Sequence, residues 1–194
     1  MNNKSDVTKR GDEVEYTQEE NLIIQSFLNS ILFTTLRKNN FFNSSYFKEM
    51  EFDANKEIDS WIKTTLQQIE IDNQARLLTA LYELLVLPKE CLENLFKADF
   101  DNLDQKIKSI ILEEESNYSY DKDGIKYVRH IRNAVAHANV EFLSDEHVEF
   151  SDSYKDKKGN EYKCRIRIPL CKLDVLISEL LKINIKYVDS LSEK

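Results

Sequence analysis

The chain has 194 residues, a net charge of −8, 41% hydrophobic content and only three Gly and two Pro. That length suits one domain with a real core, and so few turn-formers argue for long helices and against a turn-rich sheet protein. The acidity argues against a protein that holds nucleic acid by overall charge.

Residues 1–16 are polar and aperiodic and read as a flexible tail, with no apolar core of a secretory signal. From Thr17 to about Arg37 the spacing of Leu22, Ile23, Phe27, Ile31 and Leu32 predicts a helix. Residues 38–53, rich in Asn, Ser and Phe, read as a connection packed down by its aromatics. A second helix is expected over about 55–69, with Ile58, Ile62, Leu66 and Ile69 on one face. Asp72 is expected to cap a third, which turns Ala75, Leu78, Leu81, Tyr82 and Leu85 inward and ends or bends at Pro88. A fourth helix is expected from about Leu103 to Glu115, and a fifth from after Gly124 to about Asn139. The period then changes. Residues 147–152 and 161–168 alternate like strands around Lys158-Gly159-Asn160. From Pro169 a last helix buries Leu173, Leu176, Ile177, Leu180, Leu181, Asn184 and Val188.

The longest apolar stretch, Leu77–Leu87, is too short to span a bilayer, so no membrane association is expected. Cys91, Cys164 and Cys171 show neither metal-ligand spacing nor a disulfide framework, and read as reduced thiols of a cytoplasmic protein. Charge is uneven. Residues 153–172 carry seven basic and two acidic side chains on an otherwise acidic body. In the second strand Lys163, Arg165 and Arg167 share one face, and Tyr162, Cys164, Ile166 and Ile168 the other. The basic row is a candidate RNA-guiding surface. The alternative is the protection of an exposed strand edge.

The fifth helix carries Tyr127-Val128-Arg129-His130-Ile131-Arg132-Asn133-Ala134-Val135-Ala136-His137. On a helical wheel Tyr127, Val128, Ile131, Ala134 and Val135 form an apolar side. Arg129, His130, Arg132, Asn133, Ala136 and His137 form a polar one, where Ala136 leaves room for a second helix. An imidazole moves protons near neutrality, a guanidinium clamps and neutralises a phosphate, and an amide orients either partner. Together they suit metal-independent attack of an RNA 2′-OH on its own phosphate. A plainer role for His137 is to cap the helix end.

The segment Arg132-Asn133-Ala134-Val135-Ala136-His137 resembles the Arg-x4-6-His motif of HEPN ribonucleases, in the form with Asn directly after Arg. Together with Leu77–Glu90 before it, and a strand pair and a terminal helix after it, residues 17–190 resemble a single domain of the stand-alone bacterial and plasmid-borne HEPN nucleases. The resemblance implies an all-α, HEPN-type helical bundle with a small β-hairpin inserted before the C-terminal helix, and a homodimer built on the motif helices. It implies Arg132 on the scissile phosphate, His137 as general acid/base, Asn133 in support, and neither metal nor cofactor. RNA is the implied substrate, and a toxin or phage-defence role with an antitoxin or other inhibitory partner would follow. Arg129, His130, Lys163, Arg165 and Arg167 are added as RNA-binding candidates from the residues alone. Some HEPN toxins carry Tyr two residues after the His, where this chain has Asn139. The alternatives are a non-catalytic HEPN module that binds nucleotide, RNA or a protein partner, and a purely structural dimer in which a carboxylate occupies Arg132.

Overall fold

The structure, a computed structural model, describes residues 16–68 and 73–192. Helix α1 (Gln18–Lys38) starts on a capping box: the Thr17 hydroxyl accepts from the Glu20 N–H, and the Glu20 carboxylate accepts from the Thr17 N–H. Its buried stripe is Ile23, Ser26 and Ser30, whereas Leu22, Ile31 and Leu32 are exposed. The departure from the expected stripe has a polar cause. The Arg76 guanidinium donates to the Ser30 carbonyl at 3.1 Å and hydroxyl at 2.8 Å, and a small side chain leaves it room. Beyond α1, a 3-10 turn at Phe41–Asn43 and the short α2 (Ser45–Glu49) pack Phe41, Phe42, Phe47 and Phe52 edge to face, with ring centroids 5.0 to 6.0 Å apart.

Helix α3 (Lys56–Gln68) buries none of its residues. Ile58 is exposed and Ile62 and Leu66 are half-buried, so the expected inward face is not one; Ile69 and the Asp72 cap lie outside the described residues. Asn73 caps α4 (Gln74–Leu81), its side chain accepting from the Arg76 N–H at 3.0 Å. Leu77, Ala80, Leu81, Leu84 and Leu85 are buried, while Ala75 and Tyr82 are exposed. The chain then widens into one π turn, Tyr82–Val86, closed by the Leu87 N–H on the Tyr82 carbonyl at 3.1 Å. Pro88 lacks the N–H that would bond the Leu84 carbonyl. Asn184, buried on the last helix, donates to that carbonyl instead at 3.2 Å.

After α5 (Lys89–Leu95), α6 (Lys97–Ile110) stops short of the expected Glu115, and Glu113–Ser116 form strand β1. With β2 (Val140–Phe142), β3 (His147–Lys155) and β4 (Glu161–Pro169) it makes an antiparallel sheet in the order β1-β4-β3-β2. The expected all-α bundle with an inserted hairpin is therefore corrected to a mixed fold, helices against a four-stranded sheet. The sequence Glu113-Glu114-Glu115 has no apolar alternation. Its partner is Arg165–Arg167 of β4, some fifty residues away, reached through ladder bonds and the pairs Glu115–Arg165 and Glu113–Arg167. Between β3 and β4 the Asp156 carboxylate accepts from the Lys158 and Asn160 N–H groups, and Gly159 takes φ +85°.

The inner face of the sheet (Val148, Phe150, Cys164, Ile166, Ile168) covers α7 (Tyr127–Ala136), whose other side meets α6 and the π turn. Pro169 closes β4, a 3-10 turn follows at Leu170–Lys172, and α8 (Leu173–Ser192) completes the core with Leu173, Leu176, Leu180, Ile183 and Tyr187.

Asn184→Leu removes the donor at the π turn and leaves a buried carbonyl unpaired. It is expected to cost about 1–3 kcal/mol in urea unfolding. In a Pro88→Ala background the restored N–H takes the donor's place, and the cost should shrink. Equal costs in both backgrounds would show that Asn184 acts by some other route.

Candidate functional site

Helix α7 is held at both ends by groups from elsewhere. At its start the Asp104 carboxylate of α6 accepts from the Val128 N–H at 2.8 Å, a cap no local pattern announces. At its end Ala138 takes the left-handed conformation (φ 54°). Its N–H bonds the Val135 carbonyl at 3.2 Å, and the Asn139 N–H bonds the Ala134 carbonyl at 2.8 Å. This Schellman closure ends the helix at Ala136, three residues before the expected end. His137 is thus the C-cap residue, exposed, with its backbone N–H on the Asn133 carbonyl at 3.1 Å.

His130 departs from the expected polar surface. It is 1% exposed, with Nδ1 2.7 Å from the Asp152 carboxylate on β3 and Nε2 3.0 Å from the Asp121 carboxylate, in the 3-10 turn at Ser119–Asp121. The wheel placed it with the charged residues because imidazole is polar. Two buried carboxylates are what let it go inside. Tyr118 packs on the ring at 5.0 Å, and Tyr120 stacks on it at 5.9 Å with planes 10° apart. Arg129 remains exposed and lies over the other partner of that stack, its guanidinium 4.3 Å from the Tyr120 centroid.

Asn133 also turns toward the sheet and donates to Asp152 at 3.1 Å. Burial alone would raise the Asp152 carboxyl, but hydrogen bonds from His130, Asn133 and Tyr118 hold it below the ordinary carboxylate range. Burial raises the Tyr118 hydroxyl and pushes the Cys164 thiol up to about 12. The Asp121 carboxylate accepts from Ser116, yet its second oxygen is buried without a partner. The cysteine spacing suggested no metal ligands, but three distant segments bring ligand atoms of Asp121, His130 and Cys164 within 4.8 Å of one another.

Arg132 points to the other side of α7. It is 7% exposed and pairs with Glu93 of α5 at 2.6 Å, and the Glu93 side chain is itself 48% exposed. Arg132 and His137, five residues apart, are separated by about 140° around the helix axis, so one chain does not turn both to the same face.

The basic row on β4 is present as a face but is not free. Arg165 pairs with Glu115 at 3.2 Å, Lys163 with Glu161 at 3.1 Å, and Arg167 with Glu113 at 3.3 Å and Glu149 at 3.1 Å. β4 lies inside the sheet, so edge protection does not explain the row either. Its arginines are matched across the strands by carboxylates and Lys163 by Glu161 of its own strand, which removes the isolated positive stripe that the alternation suggested. On this outer face a cleft runs from Ala138 and Asn139, beside His137, past Ser151 and Ser153; a second carries those serines on to Asn117 and Lys163.

Glu93, Asp121 and Asp152 are the residues that sequence reasoning missed. The polar run around His130 was the available signal, since an imidazole beside a core stripe calls for a buried acceptor. A protein-family model described as HEPN pEK499 p136 matches residues 1–191, and the chain belongs to that HEPN family. No curated protein and no solved structure matches it. No helix among the described residues is long and apolar enough to cross a membrane.

His130→Ala leaves two buried carboxylates without the imidazole they share. At neutral pH it is expected to cost about 3–5 kcal/mol. Asp152 is depressed in the folded state, so its contribution is full above its unfolded pKa of about 4 and fades as pH falls through the folded value. In the variant Asp152 loses its His130 bond, burial then raises its carboxyl, and it takes up a proton earlier. The gap between the two unfolding midpoints should therefore narrow as pH is lowered from about 6 toward about 4. A gap that widens on acidification would contradict this account.

Proposed function

We propose that this HEPN chain is a metal-independent endoribonuclease that cleaves RNA through attack of the 2′-OH on the adjacent phosphate, in a site completed by a second copy of α7. The observation that supports it is the exposed His137 at the end of a rigidly held motif helix, between exposed Ala136 and Ala138, the latter lining the open cleft along the sheet. His137 exchanges protons with the 2′-OH and the leaving 5′-oxygen. Arg132 neutralises the charge that develops on the phosphate. Its guanidinium has five N–H donors, and the bond to Glu93 is made through one nitrogen. Asn133 acts from behind, through Asp152, by fixing the rotation of the helix. Because Arg132 and His137 do not share a face in one chain, the pair is assembled across a homodimer axis. A role as a growth-arresting toxin or phage-defence effector, restrained by an inhibitory partner, would fit such an activity.

A second reading has its own observation. Arg132 is already paired with Glu93 at 2.6 Å, which is the arrangement a structural role would keep. A non-catalytic module that binds nucleotide, RNA or a protein partner through the same cleft would need no more.

The two readings separate in a cleavage assay on single-stranded RNA with no metal ion added. Wild-type protein should leave cyclic or 3′-phosphate ends. His137→Ala should lower the rate by at least about 100-fold, with an unchanged unfolding midpoint, because the side chain is exposed. Arg132→Ala should lose cleavage and stability together, since it strips a buried pair. Intact RNA after prolonged incubation with wild-type protein favours the non-catalytic reading.

The dimer makes a separate expectation. In an isologous interface a substitution is felt twice, so Ala136→Arg should convert a dimer to monomers in light scattering and abolish cleavage. A fully active monomer would remove the composite site.

A further inference from the structure

The cluster on the sheet side of α7 is unusual for a structural staple. Its two carboxylates, Asp121 and Asp152, flank one imidazole, and Asp121 is 3% exposed with one oxygen lacking any donor. Without a metal, both ring nitrogens can donate only if the ring carries a positive charge. Even then, two negative charges face one positive charge in a buried place, which is costly.

We propose that Asp121, His130 and Cys164 form a structural zinc site that locks the motif helix to the sheet. Their ligand atoms lie within 4.8 Å of one another and are buried. The His130 Nε2 to Asp121 separation is 3.0 Å. Tetrahedral zinc with bonds near 2.0 Å to each would set that separation at about 3.3 Å, close to the distance this pair already has. Asp152, 2.7 Å from Nδ1, supplies the carboxylate that orients a zinc-bound imidazole and leaves Nε2 unprotonated for the metal. Asn133 and Tyr118 in turn hold Asp152. One thiolate, one imidazole and one carboxylate form a donor set that suits zinc better than magnesium or calcium. On binding, the Cys164 thiol and the His130 Nε2 each give up a proton to solvent; the thiolate and the Asp121 carboxylate balance the divalent ion, and Asp152 keeps its charge against the Nδ1–H and the Asn133 amide. The fourth position falls to water or to the Ser116 hydroxyl, which already bonds Asp121. The proposal does not depend on RNA cleavage, and the zinc lies behind the helix rather than among Arg132, His137 and the cleft.

The test uses the full chain, purified under reducing conditions. Elemental analysis should find one zinc per chain. Cobalt added to the chelator-treated protein should give tetrahedral absorption with a sulfur-to-cobalt charge-transfer band. Cys164→Ser should lose that band and weaken zinc binding by at least about 10-fold, while Cys171→Ser, at an exposed thiol, keeps both. Should Cys164→Ser fail to fold, Asp121→Asn is the second variant and must weaken zinc binding likewise. Protein that neither carries zinc nor binds cobalt, a cobalt spectrum with no sulfur band, or unchanged zinc affinity in a folded variant would each overturn the site and leave His130 bridging two carboxylates without a metal.

Discussion

The rotation of α7 about its own axis depends on one buried contact, the imidazole of His130 between Asp121 and Asp152. That contact ties the helix to β3 and to the turn before it, and it fixes where every other residue of the motif points. Arg132, two residues on, is carried to the far side and meets Glu93 on α5. His137, seven residues on, returns to within about 20° of the His130 direction but beyond the last helical turn. It therefore emerges at the rim of the sheet, exposed. The chemistry-bearing ends of the motif are set by a buried residue that precedes them both on the helix.

The long helices, the β3–β4 hairpin and the inward face of β4 were legible because each is a periodic burial pattern along a continuous segment. The features that were not legible come from polar groups that meet across the fold. Ser30 lies on the buried side of α1, where the Arg76 guanidinium bonds it, and Leu22, Ile31 and Leu32 are left exposed. The π turn shifts the inward register after α4, because Pro88 withholds one N–H and Asn184 supplies another. Strand β1 is three glutamates and a serine, and only the arginines of β4 make it a strand. The motif itself was legible in full as a sequence. The partners that orient it, Glu93, Asp121 and Asp152, come from three separate segments and carry no spacing.

Charge follows the same logic. The basic residues of β4 stand out against an acidic chain when read along the sequence, yet the neighbouring strands bring Glu113, Glu115 and Glu149 into register with them. A cross-strand ladder of alternating sign stabilises a sheet and keeps its outer face wet. It does not produce the unpaired row that a phosphate backbone releases counterions to reach. On the ribonuclease reading, RNA is then gathered by the cleft that starts at Ala138 and Asn139 and by the second copy across α7, more than by the sheet's charge.

Glu93 sets the remaining condition on that reading. A guanidinium buried to this degree cannot swing out as a flexible surface arginine does. It is presented at a fixed angle, with one nitrogen engaged and the rest of its edge directed by the helix. Fixed presentation is what stabilisation of a developing charge requires, because a donor already in place needs no reorganisation when the charge appears. It also keeps the Arg132 charge compensated while no phosphate is present, so the resting protein does not hold an unpaired buried cation. The half-exposed carboxylate of Glu93 can remain solvated on one side while it does this. The pair that a structural role would use is thus the same pair that would keep a phosphate clamp ready, and on the ribonuclease reading the difference between the two lies in what a second copy of α7 would bring to it.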